Sequence, residues 1–151
     1  MAVNLGSRTK GTTGENIVEG VWEHALTTRP INHLLGKIIK KENELKELGV
    51  IPEVVVIGGG AAGTELSFSF KARWSKFFGK EIKVTVISHG PTVLHGSHES
   101  TIKVTNDELK RCGISVIPNS QAKRICKEFV ELTDGTHIPC AVAVWATGAE
   151  A

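Results

Sequence analysis

Tyrosine is absent from this 151-residue sequence, and aromatic residues of all kinds make up 5% of it. Proteins that bind single-stranded nucleic acid stack bases on such rings, so their scarcity argues against that function. The formal net charge of +2 is also too small to attract nucleic acid or a charged membrane surface. We therefore expect neither of these partners.

Cysteine is scarce as well, with Cys112, Cys126 and Cys140 far apart in the sequence. No C-x-x-C pair is present, which excludes a redox dithiol or a zinc ribbon among these residues. Three unpaired cysteines predict buried free thiols in a reducing compartment, either the cytoplasm or an organelle matrix. The opening "MAVNLGSRTKGTTG" has the acid-poor composition of a transit peptide but lacks an apolar helical face.

Long apolar runs are missing too, since none approaches the ~18 residues of a membrane helix. Short apolar runs instead alternate with segments of helical periodicity. Strands are predicted at 54–57, 81–88, 113–118 and 141–145, and helices at 61–77 and 98–113, after a first helix from Pro30 to Leu48. Alternating strands and helices of this length predict an α/β fold with a parallel sheet.

Between the third and the last of these strands, the spacing of hydrophobic residues changes from a helical to a strand-like period. Residues 121–139 are typical of short antiparallel strands, with Asp134 and Gly135 in a tight hairpin turn. In the first helix, one apolar face is predicted to be buried and the charged residues to form a solvated face. The buried face comprises Ile31, Leu34, Leu35, Ile38, Leu45 and Leu48. The second helix carries Ala62, Leu66, Phe70 and Trp74 at helical spacing.

Three glycines with the spacing G-x-G-x-x-G follow the first predicted strand and open a helix. In this context Gly58 permits a tight turn, Gly60 leaves room for a pyrophosphate, and Gly63 lets the helix pack closely on the strand. The helix N-terminus offers unpaired N–H groups to phosphates. The stretch therefore predicts a dinucleotide site, with a turn that binds nothing as the alternative. No Gly-Lys-Ser/Thr follows, which excludes a nucleoside-triphosphate P-loop.

The next strand ends in Ser88, His89 and Gly90, without the acid that holds a free ribose 2′-hydroxyl. No arginine stands there for a 2′-phosphate either. Ser88 is able to donate a hydrogen bond to either group, and a protonated His89 would favour phosphate. The choice between NADH and NADPH stays open, with NADPH slightly favoured.

"VVVIGGGAAGTEL", with Glu65 just after the third glycine, and the ending "AVWATGAEA" resemble the NAD(P)-binding domain of two-cofactor flavoproteins. These are the pyridine nucleotide-disulfide oxidoreductases and the type II NADH dehydrogenases. "VNLGSRTKG" and "TTRPI" resemble the FAD-domain exit strand and the connector that follows it. Together, "NLGS", "RPI", "GGGAAGTE" and "WATGAEA" look closest to the oxidoreductases found fused to selenide, water dikinase.

This resemblance implies a Rossmann-like, three-layer NAD(P)-binding domain at 51–151, after a connector helix at 30–50 and a remnant of the FAD domain at 1–29. It places the pyrophosphate against the glycine loop, Glu65 toward the nicotinamide, and Thr147 and Gly148 at the nicotinamide–flavin junction. The loop residues concerned are Gly58, Gly60, Ala61, Ala62 and Gly63, and in the complete enzyme Gly6 and Ser7 would approach FAD.

Two departures from the family pattern bear on function. Ala141 stands where an aspartate is usual, and the first FAD-binding glycine loop is not in the sequence. We therefore expect a fragment that binds NAD(P)H, partners FAD-domain segments of a complete enzyme and is inactive alone, with no catalytic side chain of its own. A non-catalytic nucleotide-sensing domain and a truncated product without function are the alternatives.

Three remaining features have alternative interpretations. His89, His95 and His98 are typical of a flexible loop beside the nucleotide rather than of a metal site. Trp145, in an apolar strand, is expected to pack in the core rather than stack on a cofactor. Glu65 is interpreted as a first-turn residue favoured by the helix dipole, or else as a contact on the cofactor side.

Overall fold

Five parallel strands form the central sheet of the protein in a computed structural model that describes residues 8–9, 18–28, 31–147 and 149–150. Its strands are β2 (Ala25–Thr27), β3 (Glu53–Ile57), β4 (Lys83–Ile87), β5 (Ser115–Ile117) and β9 (Val142–Trp145). Their order in the sheet is β2-β9-β3-β4-β5, and every neighbouring pair is parallel. The predicted α/β fold with a parallel sheet is confirmed.

Helices cover one face of this sheet. They are α2 (Leu34–Glu47), α3 (Ala61–Phe78) and α4 (Glu99–Arg111), while a short helix α1 (Val21–His24) precedes β2. Val54, Val56, Val84 and Val86 point from the central strands into this layer, where they pack around Trp74. Because strand side chains alternate between faces, Val55 and Ile57 point to the opposite side.

A three-stranded antiparallel sheet covers that opposite face. It consists of β6 (Ala122–Ile125), β7 (Phe129–Leu132) and β8 (His137–Pro139), in that order. Ile125, Val130 and Leu132 pack with Val55, Ile57 and Trp145 in a second core. The predicted three-layer, Rossmann-like architecture with an antiparallel meander is therefore confirmed, as is the expectation that Trp145 packs in the core.

The first long helix differs from its prediction. Residues 31–33 form a 3₁₀ turn, the α-helix proper begins at Leu34, and Leu48 lies beyond its end. Leu34 and Leu45 are buried, whereas Leu35 is 56% and Leu48 73% exposed. Leu35 lies one residue, or about 100° of helical rotation, away from the buried face, and Leu48 has left it. Ile38 is partly buried as predicted.

Glu42 occupies the buried face where a solvated residue was expected. Its side chain is 4% exposed and accepts hydrogen bonds from Trp74 Nε1 at 2.8 Å and Arg73 Nε at 2.5 Å. A buried carboxylate is tolerated when it is paired and hydrogen-bonded. The prediction that all charged residues of this helix are solvated was therefore wrong at Glu42, which ties α2 to α3.

Cys140 is the only one of the three cysteines that is buried, and Cys112 and Cys126 are half-buried. Burial raises the pKa of the Cys140 thiol to about 12, and the negative charge of Glu53 adds to the shift. The prediction of buried thiols is thus correct for Cys140 alone.

Thr133 to Thr136 form the predicted turn, where Asp134 accepts a hydrogen bond from the Thr136 N–H at 2.9 Å.

A two-stranded antiparallel ladder brings together the first and last described segments. It joins β1 (Arg8–Thr9) to β10 (Ala149–Glu150). Residues 3–7 of "VNLGSRTKG", which resembles the FAD-domain exit strand, lie outside the described residues. In the described part of the chain, every helix is too short or too polar to cross a membrane.

Candidate functional site

The carboxyl ends of β3 and β9 are the place where the strand order reverses. From β3 the chain proceeds through β4 to β5 on one side, and β9 returns to the other side of β3. Connections that leave adjacent strand ends in opposite directions open a crevice between them. This crevice is therefore the position in the fold where a ligand site is expected.

The glycine loop lies in this crevice, and two of its glycines are fixed by packing. Gly58 has a φ of +129°, and a side chain on it would collide with the Ala146 carbonyl at the end of β9. A Cβ on Gly63 would collide with the Gly58 carbonyl and lie 3.6 Å from the Ala146 Cβ. Their predicted roles, a tight turn and close helix packing, agree with this geometry.

Gly60 is different, because a Cβ built on it meets no atom within 4 Å. It precedes α3, and its carbonyl accepts the first helical hydrogen bond from the Thr64 N–H at 3.0 Å and another from the Thr64 hydroxyl at 2.8 Å. Among the described residues, no side chain caps this helix. The first N–H groups of α3 therefore face the crevice, as a bound anion would require.

A cavity of about 890 Å³ extends from the glycine loop to the ends of β4 and β9. Its size falls in the range of ordinary ligand pockets. Among the described residues that line it, none is Asp, Glu, Lys or Arg, and His89 and His95 are the ionisable side chains. The cavity wall is therefore built from small, apolar and neutral polar groups.

Seven of the predicted site residues line this cavity: Gly58, Gly60, Ala61, Ala62, Ser88, His89 and Thr147. Ala62 is exposed at the start of α3. Gly63 is not a lining residue, and it lets α3 pack closely against the Gly58 carbonyl. Gly6, Ser7 and Gly148 lie outside the described residues.

Glu65 is exposed and is not one of the lining residues. Because α3 begins at Ala61, Glu65 is the fifth residue of the helix, and the first turn contains no acid. The first-turn interpretation was wrong, because a turn holds about 3.6 residues and the helix starts at Ala61, as predicted. Its contact with the cofactor side stays a prediction.

Ser88 is 2% exposed, and its side chain is turned toward the protein. Its hydroxyl donates a hydrogen bond to the Thr92 carbonyl at 3.0 Å. A Cβ on Gly59 would lie 2.5 Å from the Ser88 Oγ, which shows how tightly the two residues pack. With its proton used in this way, the hydroxyl is left as a hydrogen-bond acceptor toward the cavity.

The β4–α4 loop, residues 88–98, wraps around the glycine loop. The Leu94 N–H donates to the Gly59 carbonyl at 2.7 Å, and Leu94 adopts a positive φ of 53° to do so. His95 packs against Gly90: a Cβ added to Gly90 would lie 3.1 Å from the Cβ of His95. A loop beside the nucleotide was predicted from His89, His95 and His98, and the loop lines the cavity through His89 and His95 but not His98. Its contact with the glycine loop could not be predicted, because a loop without periodicity gives no signal of where it lies.

The opposite end of the cavity is formed by β9 and the segment after β2. Trp145, Ala146 and Thr147 line it together with Thr28, which is 7% exposed. Trp145 is 3% exposed and also belongs to the second core. Thr28 could not be predicted as a lining residue, since β2 is too short to show a pattern.

The described residues contain no group of three or more His, Cys, Asp or Glu side chains placed to hold a metal ion. In the β4–α4 loop, His98 instead accepts a hydrogen bond from the Ser100 N–H at 3.2 Å and so caps α4.

A sequence profile of the pyridine nucleotide-disulphide oxidoreductase family matches residues 10–151. A curated relative, a probable NADH dehydrogenase from Dictyostelium discoideum, is 28% identical and covers 98% of this chain. The match spans 36% of that relative, so the chain corresponds to about a third of its length.

Solved structures show the same fold at low sequence identity. NDH2 from Plasmodium falciparum in complex with NADH superposes with a TM-score of 0.75 at 20% identity, over 91% of this chain and 32% of its own. An NAD-dependent persulfide reductase from A. fulgidus gives a TM-score of 0.70 at 24% identity, over 96% of this chain and 25% of its own.

Proposed function

The chain belongs to the pyridine nucleotide-disulphide oxidoreductase family, and on this premise we propose that it binds NAD(P)H as the hydride-donor domain of a FAD-dependent oxidoreductase. The observation that carries the proposal is Gly60: its missing side chain leaves open space in front of an uncapped helix N-terminus. A dinucleotide pyrophosphate needs this combination of close backbone approach and free N–H groups.

The residues present fit such a ligand along the whole cavity. The pyrophosphate would lie against Gly58, Gly60, Ala61 and Ala62 at the start of α3. Gly63 would hold the helix close to the strand. The backbone N–H groups here would donate hydrogen bonds to the phosphates. The positive end of the helix dipole would also attract them, so an anion could bind without any charged side chain.

The two ends of the dinucleotide would then occupy opposite ends of the crevice. We place the adenosine near Ser88 and His89, where β4 ends, and the nicotinamide near Thr147 and Gly148, where β9 ends. Support comes from the strand order, because β4 and β9 flank β3 on its two sides. Glu65 is proposed to act on the nicotinamide side.

The bound nicotinamide supplies a hydride, whose acceptor in this family is a flavin. The chain's own residues would bind the nucleotide, orient it and shield it from water. No acid, lysine or cysteine is among the described lining residues. The buried Trp145 and Thr28 exclude water from one wall of the cavity. We accordingly assign no residue of this chain to the chemical step itself.

We propose that Gly6 and Ser7 approach FAD in the complete enzyme. The ladder between β1 and β10 supports this, because it brings Arg8–Thr9, which directly follow them, beside the segment after Thr147. Both segments would thus meet the flavin-binding part at one place. The chain alone is proposed to bind nucleotide without turnover.

Calorimetric titration of the purified chain with NADPH, NADH and FAD tests this proposal. We expect a nicotinamide dinucleotide to bind more tightly than FAD. Tighter binding of FAD would overturn the assignment to the nicotinamide domain, and no binding by any of the three would overturn the function itself. Oxidation of NADPH with added FAD, followed at 340 nm, would contradict the proposed inactivity of the isolated chain if turnover were appreciable.

Within the family, we propose membership of the subgroup found fused to selenide, water dikinase. Its support is the set of motifs "NLGS", "RPI", "GGGAAGTE" and "WATGAEA". Sequencing the genomic DNA on both sides of the reading frame tests it. A selenide, water dikinase reading frame in continuation is the expected result, and a different flanking domain would refute the subgroup.

A further inference from the structure

We propose that a groove at the amino ends of β3 and β9 is the docking site for a basic, amphipathic helix of a separate protein. The groove has a volume of about 950 Å³ and lies between the end of α2 and the turns that precede β7 and β9. The nucleotide cavity is at the carboxyl ends of the same two strands. A partner in the groove would therefore leave the nucleotide cavity open.

The segment at 48–51, which follows α2, places three exposed apolar side chains along one wall of the groove. Leu48 is 73%, Ile51 43% and Val50 39% exposed. The buried Leu45 lines the groove beside them. Single exposed apolar residues are ordinary on a protein surface, whereas several in one short segment mark an interaction site.

Hydrogen bonds at the end of α2 hold this segment in place. The Gly49 N–H donates to the Lys46 carbonyl at 3.1 Å, and Gly49 has a φ of +67°. The Val50 N–H donates to the Leu45 carbonyl, also at 3.1 Å. This is the Schellman arrangement that commonly ends an α-helix. The apolar side chains are thus presented to solvent by a well-defined turn.

The opposite wall of the groove is fixed to the sheets by hydrogen bonds as well. The Ala141 N–H donates to the Glu53 carbonyl at 2.9 Å, and the Cys140 N–H donates to the Glu128 carbonyl at 3.0 Å. A groove whose walls are already held in place loses little conformational entropy when a partner binds. Both walls therefore form a preorganised surface.

The charges around the groove favour a basic partner. Four of its described lining residues are glutamates and two are lysines. Lys41 pairs with Glu44 at 3.4 Å. Glu47, Glu53 and Glu128 pair with no cation in the part of the chain that the structure describes. The negative end of the α2 dipole lies beside Glu47, so lysine or arginine side chains of a partner would be attracted to the groove.

A second copy of the chain fits the groove less well than a basic helix does. Two grooves facing each other across a two-fold axis would bring like charges together, which is unfavourable at an interface. An added strand is also disfavoured, because Pro139 of the edge strand β8 lines the groove and has no N–H to donate. A helix that lays its apolar face into the groove meets neither obstacle.

Selection from a phage-displayed library of random peptides, about 12 residues or three helical turns long, tests the inference with the purified chain as bait. We expect the selected peptides to carry leucine, isoleucine or phenylalanine at helical spacing beside lysine or arginine. Selection of peptides without basic residues, or of none that bind, would overturn the docking site.

Two pairs of variants locate the peptide on the chain, with a selected peptide followed by fluorescence anisotropy. Leu48→Asp should weaken peptide binding about tenfold or more. Leu35→Asp is its matched control and should leave binding unchanged, because Leu35 is an exposed leucine of α2 that does not line the groove. Glu128→Gln should weaken binding about threefold, whereas Glu99→Gln, outside the groove, should not change it.

Equal weakening by Leu48→Asp and Leu35→Asp would place the peptide elsewhere and refute the docking site. A dimer of the original chain that Leu48→Asp dissociates in analytical ultracentrifugation would assign the groove to a second copy and overturn the proposal. Calorimetry with NADPH should give the same affinity for Leu48→Asp as for the original chain, so the result for the groove is distinguished from that for the nucleotide site.

Discussion

Gly60 and Gly63 lie three residues apart, yet a side chain would have opposite consequences at the two positions. At Gly63 it would collide with the Gly58 carbonyl, so this glycine is required by the fold. At Gly60 it would meet no protein atom, and φ is −78°, which any residue adopts. No steric clash requires a glycine at position 60, which agrees with the proposed contact with a pyrophosphate.

Gly60→Ala should therefore separate binding from stability. We expect its free energy of unfolding to fall by no more than about 1 kcal/mol, since no contact is disturbed and only the preference for glycine over alanine at an N-cap is lost. Nucleotide affinity should fall about tenfold or more, because the new methyl group occupies the path of the pyrophosphate. Urea unfolding and calorimetry measure the two quantities.

Gly36→Ala is the control for this substitution. Gly36 lies within α2, and a Cβ on it also meets nothing within 4 Å, but it is remote from the cavity. This variant should gain about 0.5–1 kcal/mol from helix propensity and bind nucleotide unchanged. If Gly60→Ala bound as tightly as Gly36→Ala, the pyrophosphate would not lie at the glycine loop.

At the scale of elements, the contact of α2 with α3 includes one buried carboxylate beside its apolar packing. The Glu42 carboxylate accepts hydrogen bonds from the indole N–H of Trp74 and from the guanidinium of Arg73, whose side chain is 47% exposed. The carboxylate raises the pKa of Arg73, chiefly through the hydrogen bond. Trp74 is fully buried, so its N–H depends on this one acceptor.

Glu42→Ala should destabilise the chain by about 1–3 kcal/mol, the cost of leaving a buried donor unsatisfied. Glu44→Ala, on the same helix, should change stability by less than about 0.5 kcal/mol, because its pair with Lys41 is exposed. Chemical denaturation followed by circular dichroism compares them. Equal midpoints for the two variants would show that Glu42 does not fix α2.

The antiparallel sheet has an acid-sensitive contact of its own. Glu131 on β7 interacts with His137 Nε2 at 3.2 Å and Arg124 Nη2 at 3.4 Å. The hydrogen bond with His137, and then the positive charges of Arg124 and Lys123, lower the pKa of Glu131. A carboxyl whose pKa is lower in the folded state stabilises the fold above its unfolded pKa, about 4.3.

That stabilisation should be lost as the pH falls through the folded pKa of Glu131. Glu131→Gln removes the titrating group, so the variant should be less stable than the original chain at pH 7 and should approach it at pH 3. Urea midpoints measured every half pH unit test this. A difference that stays constant between pH 7 and pH 3 would show that the carboxylate charge contributes nothing.

At the scale of the whole molecule, the three layers share one central sheet. Val54 and Val56 pack into the helical layer, while Val55 and Ile57 of the same strand pack under the antiparallel sheet. Neither outer layer retains its core if β3 separates from its neighbours. We expect the described layers to unfold together as one cooperative unit.

Trp74 and Trp145 report on the two layers separately, because they lie in the two different cores. Two double variants allow the test, because each retains one of these tryptophans. Trp22→Phe with Trp145→Phe keeps Trp74, and Trp22→Phe with Trp74→Phe keeps Trp145. In each variant, the fluorescence transition should coincide with its own far-UV circular dichroism transition in urea. Separate transitions in either variant would mean that its layer unfolds independently.

The amino-acid pattern by itself determined the α/β class, the parallel sheet, the antiparallel meander and the glycine loop. These follow from local information: period-2 and period-3.6 hydrophobicity, turn residues, and glycines between a strand and a helix. The ends of the first long helix were less well determined, as at Leu48, because ends depend on packing as well as on periodicity.

Only the tertiary structure decided which polar groups are buried and which residues meet across the crevice. Glu42 is a helix-surface residue by its sequence, and it is buried because Trp74 and Arg73 arrive from another helix. Thr92 and Thr28 line the cavity because loops from distant parts of the chain converge there. Such contacts join residues far apart in sequence, so their physical cause is the three-dimensional packing of strands and loops.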